Sequence, residues 1–215
     1  MLTPSRRSAA TPSLPTRNVR RTQARGDRTR DAIIGETVRC INEEGFAAAS
    51  ASHIAERAGV TWGVIQYHFG DRNGLLSAVI ADGFQSFQRS IESVLVPAGP
   101  SRQRVEASVE AAWAAFSSPE SRASFEILIS ARAGRDQIQV GELESMASDM
   151  RALSGVLVGD RVDLGGQDAV VGEVLWATLR GLVMAQMLTS RTINTSRERA
   201  LLVDLITGLL DGLAV

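Results

Sequence analysis

The chain has 215 residues, 23 basic against 24 acidic, every basic one an arginine. One cysteine excludes a disulfide framework or a thiolate zinc cluster. Two histidines, His53 and His68, leave everything beyond residue 68 without an imidazole for general-base catalysis or a nitrogen-rich metal site. The net charge of −1 hides a gradient: residues 1–80 hold 11 Arg and 7 acidic residues (+4) and residues 81–215 hold 12 Arg and 17 acidic residues (−5), so a phosphate-rich partner meets the front of the chain.

Residues 1–26 contain Pro4, Pro12 and Pro15, six arginines (Arg6, Arg7, Arg17, Arg20, Arg21 and Arg25) and no acidic residue. So little apolar content does not offset the entropy of ordering, and the segment is expected to be a disordered basic arm. Its two readings are an arm adding phosphate or minor-groove contacts and an extension with little role. It lacks the apolar run of a secretory signal. Its Arg- and Ser-rich composition superficially resembles an organelle transit segment, a comparison the prolines weaken.

Helical periodicity starts near Asp27, with Ile34, Val38 and Ile41 in one stripe, Ile33 and Thr37 beside it, and Gly45 ending the helix before Phe46 packs back. Ser50 has the character of an N-cap for a short helix whose inward positions are Ile54, Ala55 and Ala58, and Gly59 reverses the chain directly after it. Thr61 is placed to cap the next helix. There Val64, Ile65 and Phe69 turn inward while Trp62, Gly63, Gln66, Tyr67 and His68 stay on the open side. A short helix with so many hydrogen-bonding and aromatic groups suits a major groove, where they reach base edges and phosphates. Asp71 caps a further helix that begins at Arg72, where a cation gains nothing from the helix dipole, so Arg72 is expected to serve a phosphate rather than folding. That helix runs through Leu75, Leu76, Val79, Ile80, Phe84, Phe87, Ile91 and Leu95, its first half completing a small core and its second half entering a larger domain.

With these residues in view the chain resembles a TetR-type transcriptional regulator. The resemblance rests on Gly45-Phe46, Ile54 to Val60 (IAERAGV), Gly63-Val64-Ile65, Tyr67-His68-Phe69 and Leu75-Leu76, about one third of the chain. It implies that Thr61 to Phe69 is the recognition helix of a helix-turn-helix and that Arg72 takes the place of a phosphate-gripping basic residue. Ser50, Thr61, Trp62, Gly63, Val64, Gln66, Tyr67, His68 and Arg72 are therefore the candidate DNA-binding residues. Two positions depart from the family: Gln66 stands where Tyr is usual, and Arg72 where Lys is usual.

The rest of the chain reads as helix. Pro97, Gly99 and Pro100 interrupt the pattern; Val105, Val109, Trp113 and Phe116 recur within Gln103 to Phe116, and Pro119 precedes a helix with Phe125, Leu128 and Ile129. Gln137 to Val158 repeats apolar positions, including Met146 and Met150, before a loop at Gly159 to Gly166. Gln167 to Ser190 and Leu201 to Leu213 each carry an apolar face wider than one internal surface requires, and Thr195 with Glu198 has capping-box spacing. Such faces suggest a four-helix bundle between two subunits, or else the finish of a monomeric core. Trp113, Phe116, Phe125, Met150, Trp176 and Arg180 are the candidate ligand-binding residues, read either as a pocket wall or as ordinary packing.

The expected fold is all-α: a disordered basic arm (1–26), an N-terminal three-helix domain with a helix-turn-helix (27–80), and a larger C-terminal helical domain for ligand binding and dimerisation (81–215). No phosphate loop, dinucleotide fingerprint, internal repeat or membrane-spanning run is read. Glu43-Glu44 and Glu142/Glu144 lack a companion nucleophile, so no catalytic residue, cofactor or metal is expected. The function expected is a bacterial, cytoplasmic DNA-binding regulator: a homodimeric repressor released from a double-stranded inverted-repeat operator by a small molecule, without membrane association. The alternatives are a regulator that answers a protein partner or activates, and a helical interaction protein without DNA-reading function.

Overall fold

In a computed structural model of the chain, residues 17–93, 101–133, 168–189 and 193–213 are described, and they contain helices and no strand. The helices are α1 (Arg17–Glu44), α2 (Ala51–Arg57), α3 (Trp62–Phe69), α4 (Arg72–Glu92), α5 (Ser101–Phe116), α6 (Pro119–Ala133), α7 (Asp168–Met187) and α8 (Ser196–Leu213), with a 3-10 turn at Phe46–Ala48. The predicted positions Leu95, Met146 and Met150, the helix over 137–158 and the loop over 159–166 lie outside the described residues, as do residues 1–16 of the arm.

The boundary expected at Asp27 is corrected, because α1 starts ten residues earlier. Beyond Pro15 nothing interrupts a helix, and Arg, Gln and Ala are strong helix formers. Extending an already nucleated helix costs little, so residues 17–26 continue it. The other end behaves as read, with Gly45 at φ +85° stopping α1.

Two apolar cores are built along α4. The first takes Ile33, Ile34, Val38, Cys40 and Ile41 from α1, Ile54 and Ala55 from α2, Ile65 from α3 and Leu75, Leu76, Val79 and Ile80 from α4. It also takes Ala123 and Ile127 from α6, both fully buried. The first three helices and the start of α4 therefore do not close this core by themselves. Asn42 Nδ2 donates to the Pro119 carbonyl (3.0 Å) and the Phe46 amide donates to Glu126 Oε1 (2.5 Å), so α6 is tied to the reading head by polar as well as apolar contact. Where α4 crosses α6, a Cβ on Gly83 would come 2.4 Å from Ser124 Oγ and 3.0 Å from the Glu120 carbonyl oxygen. Only glycine permits this approach.

The second core joins Phe87 and Ile91 of α4 to Val105, Val109, Ala112 and Phe116 of α5, Val171, Leu175, Trp176, Leu179 and Val183 of α7, and Leu202, Val203, Ile206 and Leu210 of α8. Helices α7 and α8 thus bury one apolar face each. Their opposite faces leave Val170 (58% exposed), Val174, Leu201, Leu205 (63%) and Leu209 in water. The reading that no run could span a membrane needs amending, since Val170–Met187 is long and apolar enough by composition. It serves here as a helix with one face in a protein core.

Candidate nucleic-acid interface

The reading head is set by two caps and one turn. Ser50, with extended backbone, accepts a hydrogen bond from the His53 amide (3.3 Å) and starts α2. Gly59, at φ +64°, adopts the left-handed conformation that turns α2 into α3 at little cost for glycine. Asp71 accepts from the Gly74 amide (2.8 Å) and starts α4. Thr61 sits at the N-cap of α3 but its side chain makes no capping bond, which corrects the expected cap. Its backbone carbonyl takes the Val64 amide at 3.0 Å, and the residue is exposed.

Helix α3 divides as its pattern predicts on the inner side. Ile65 is fully buried, and Val64 and Phe69 pack partly buried beside it. Outside, Gly63 and Gln66 are exposed together with Trp62 (41%) and Tyr67 (84%). Val64 is thus split between core and surface. His68 departs from the prediction: it is half-buried, edge-on to Tyr67 with centroids 5.0 Å apart, and its Cε1 would lie 3.9 Å from a Cβ on Gly26. The Arg30 guanidinium lies over the Phe69 ring at 5.4 Å. The early part of α1 therefore flanks the C-terminal end of α3, a neighbour the sequence did not disclose.

Arg72 takes part in the fold, which its place at a helix start did not suggest. Its Nε donates to the Ala49 carbonyl (2.9 Å), and its guanidinium lies over the Phe46 ring at 4.7 Å. The side chain that gains nothing from its own helix dipole instead fastens α4 to the turn after α1. Because the Phe46 amide is held by Glu126, the same turn connects Arg72 to α6.

A second polar network lies on the side of α1 that faces α2. Arg57 donates through Nε to Glu36 (2.7 Å), through Nη2 to Glu43 (2.7 Å) and through Nη1 to Glu44. Hydrogen bonds from Arg39 and then Arg57 hold the Glu36 carboxyl below its usual range. For Glu44 the cause is chiefly His53, whose Nε2 lies 2.9 Å from Glu44 Oε2, and then Arg57. The bonds from Glu43 and Glu36 in turn raise the Arg57 guanidinium further. Burial pushes the neighbouring Cys40 thiol up. Glu36, Glu43 and Glu44 were legible as residues of one helix, but Arg57 as their common partner was not.

The predicted ligand-binding residues are dispersed by role. Phe116 and Trp176 are buried and meet at 5.7 Å; Phe87 joins them at 4.7 and 5.6 Å, and Phe125 stacks on Phe116 at 6.0 Å. Trp113 is partly buried beneath the Arg199 guanidinium (4.5 Å), which also donates to Glu110 (2.9 Å) and Thr195 Oγ1 (2.8 Å). Arg180 is half-buried on α7, and Met150 lies outside the described residues. The structure thus brings Phe116, Phe125 and Trp176 together as one aromatic cluster.

Comparison with known proteins fits this geometry. Residues 33–79 match the family model described as "Bacterial regulatory proteins, tetR family", from the core stripe of α1 into α4. In its reading head, the chain is similar to the TetR family. HTH-type transcriptional regulators BetI of Escherichia coli strains are 35% identical, in one case over 101 residues, or 46% of this chain and 47% of the relative. The chain thus spans about half the length of the curated relatives it matches. Solved structures extend the likeness of fold across both domains. A transcriptional regulator from Rhodococcus sp. Rha1 has a TM-score of 0.66 at 18% identity, covering 86% of this chain and 98% of that one. NalD, described as the secondary repressor of the MexAB-OprM multidrug efflux pump in Pseudomonas aeruginosa, has a TM-score of 0.58 at 18% identity, covering 85% and 95%.

Proposed function

We propose that this chain is a DNA-binding transcriptional regulator of the TetR type, a cytoplasmic repressor that reads an inverted-repeat operator as a homodimer and releases it on binding a small molecule. The observation carrying the DNA-reading step is the outer face of α3, where Trp62, Gln66 and Tyr67 stand exposed around the bare backbone of Gly63. Tyr67 stands almost wholly in solvent and Trp62 partly so, and among the described residues the Cβ that Gly63 lacks would meet only Thr61 Oγ1, at 3.7 Å. The open backbone allows close approach to a groove, with Gln66 able to pair with adenine and Trp62 and Val64 in reach of thymine methyls. Tyr67 and Thr61 suit the flanking phosphates, and His68 is positioned between Tyr67 and α1.

The exposed faces of α7 and α8 support the dimer. Each of Val170, Val174, Leu201, Leu205 and Leu209 contributes about 1.5–3 kcal/mol when fully buried, against an association cost of about 4–15 kcal/mol. A two-fold pair of heads then meets successive major grooves roughly 34 Å apart. For the effector, the aromatic cluster around Phe116, Phe125 and Trp176 lies among α4, α5, α6 and α7, and α4 runs from it into the reading head. A ligand that favours an arrangement with wrongly spaced heads weakens DNA binding by its differential affinity alone. The regulatory assignment requires no catalysis.

Selection from a randomised duplex pool at several salt concentrations tests the reading. We expect enrichment of a palindromic site, loss of that enrichment in Gln66→Ala and Trp62→Ala, and a linear fall of log affinity with log salt. A pool that emerges no different from bulk DNA would remove the operator-reading assignment.

A further inference from the structure

The geometry points to a binding site for a zinc-type divalent cation formed by Cys40, Glu44 and His53, at the seam between α1 and α2. Their ligand atoms, Sγ, a carboxylate oxygen and an imidazole nitrogen, all lie within 4.8 Å of one another. The backbone explains the arrangement. Cys40 and Glu44 are four residues apart on α1, hence on one face, and His53 projects from α2 immediately after the turn that Ser50 caps. The sequence supplies no second cysteine, and only the crossing of the two helices brings a third donor to the thiol.

The donor set has definite chemistry. Thiolate sulfur, imidazole nitrogen and carboxylate oxygen together suit Zn²⁺, and Co²⁺ as its spectroscopic substitute, whereas Mg²⁺ and Ca²⁺ call for oxygen donors throughout. His53 Nε2 and Glu44 Oε2 already face each other across 2.9 Å, so an ion entering between them takes the place of the hydrogen-bonding proton. On a tetrahedral Zn²⁺ with bonds of about 2.0–2.3 Å these two atoms stand roughly 3.3 Å apart, and the sulfur lies roughly 3.6 Å from each. Closing the site therefore needs side-chain movements of roughly 1 Å by geometry alone. The freedom for this lies with Glu44 and His53, whose side chains are 37% and 36% exposed, while Cys40 is fully enclosed and keeps its place. Arg57 Nη1 holds the other oxygen of Glu44 and leaves Oε2 directed at His53. On binding, the thiol proton is released to solvent and the imidazole carries its one proton on Nδ1 in place of Nε2, so that thiolate, carboxylate and Zn²⁺ sum to a neutral site. The fourth position, on the solvent side, takes water. The effect on the protein is to clamp α2 to α1 beside the recognition helix.

The test uses the full chain, reduced and stripped with a chelator. Titration with Co²⁺ is expected to give one ion per chain and a thiolate-to-cobalt charge-transfer band that Zn²⁺ abolishes, and Zn²⁺ is expected to raise the unfolding temperature. His53→Gln alters a partly exposed ring and should keep the native far-ultraviolet circular dichroism while weakening Zn²⁺ binding at least about tenfold. Cys40→Ala should lose the band; if that variant does not fold, Glu44→Gln provides the second ligand deletion. Cobalt bound without a thiolate band, wild-type zinc affinity in His53→Gln, or no binding by the wild-type chain would each overturn the site. None of these readouts uses DNA, so they stand apart from the operator assignment.

Discussion

Replacing Arg72 by Gln separates a folding role from a phosphate contact. The guanidinium donates to the carbonyl of fully buried Ala49 at 2.9 Å and stacks over Phe46 at 4.7 Å. A hydrogen bond from a charged donor contributes about 1.5–3 kcal/mol and a cation–π contact about 0.5–1 kcal/mol, so the substitution should cost about 2–4 kcal/mol. For a chain of this size that lowers the unfolding midpoint by roughly 4–16 °C, at about 2–4 °C per kcal/mol. Arg72→Lys should recover little, because an ammonium offers neither the planar face nor the fixed fork. The assay is thermal unfolding by circular dichroism, paired with operator titrations over a salt series well below the variant's midpoint. If Arg72 serves folding, stability falls while the salt slope stays at the wild-type value. An unchanged melting curve with a salt slope reduced by about 1.8, about 0.9 for each of the two heads, would refute the reasoning and return Arg72 to the phosphate backbone.

Three further outcomes follow from the same contacts. Because Glu36 has a depressed carboxyl in the folded chain, its ion pairs with Arg39 and Arg57 stabilise fully above the ordinary value near 4.5 and are lost as pH falls through the lower folded value; urea midpoints across that acid window should fall less steeply in Glu36→Gln than in the wild type. Gly83→Ala puts a methyl 2.4 Å from Ser124 Oγ and 3.0 Å from a backbone oxygen of α6, so chemical unfolding should show a loss of about 1–3 kcal/mol, and a stabilised variant would contradict the close crossing of α4 and α6. Leu205→Glu, on the exposed face of α8, should leave circular dichroism unchanged while sedimentation shifts from twice the chain mass towards one; an undisturbed dimer would place the interface elsewhere.

What the sequence determined by itself is what depends on neighbours along the chain. The spacing of Ile34, Val38 and Ile41, the cap at Ser50, the reversals at Gly45 and Gly59 and the exposed face of α3 are local consequences of helix period, capping and glycine backbone freedom, and all are seen in the fold. So is the apolar excess of α7 and α8, though periodicity alone could not say that Leu202 and Ile206 would face α5 while Leu201 and Leu205 faced water. Tertiary structure decided every matter that depends on which distant group arrives. Arg72 reads as a free cation at a helix start until Ala49 and Phe46 are brought against it. His68 reads as groove-facing until Gly26 of a lengthened α1 closes one side. Ala123 and Ile127, some forty residues beyond α4's first half, complete the head's core through a crossing that the single missing Cβ of Gly83 permits. Cys40 is a lone thiol in one dimension and has two companion donors in three. The physical reason is common to all of them: helix period and caps are set by interactions over three or four residues, whereas the partner of a long polar side chain is chosen by how helices cross.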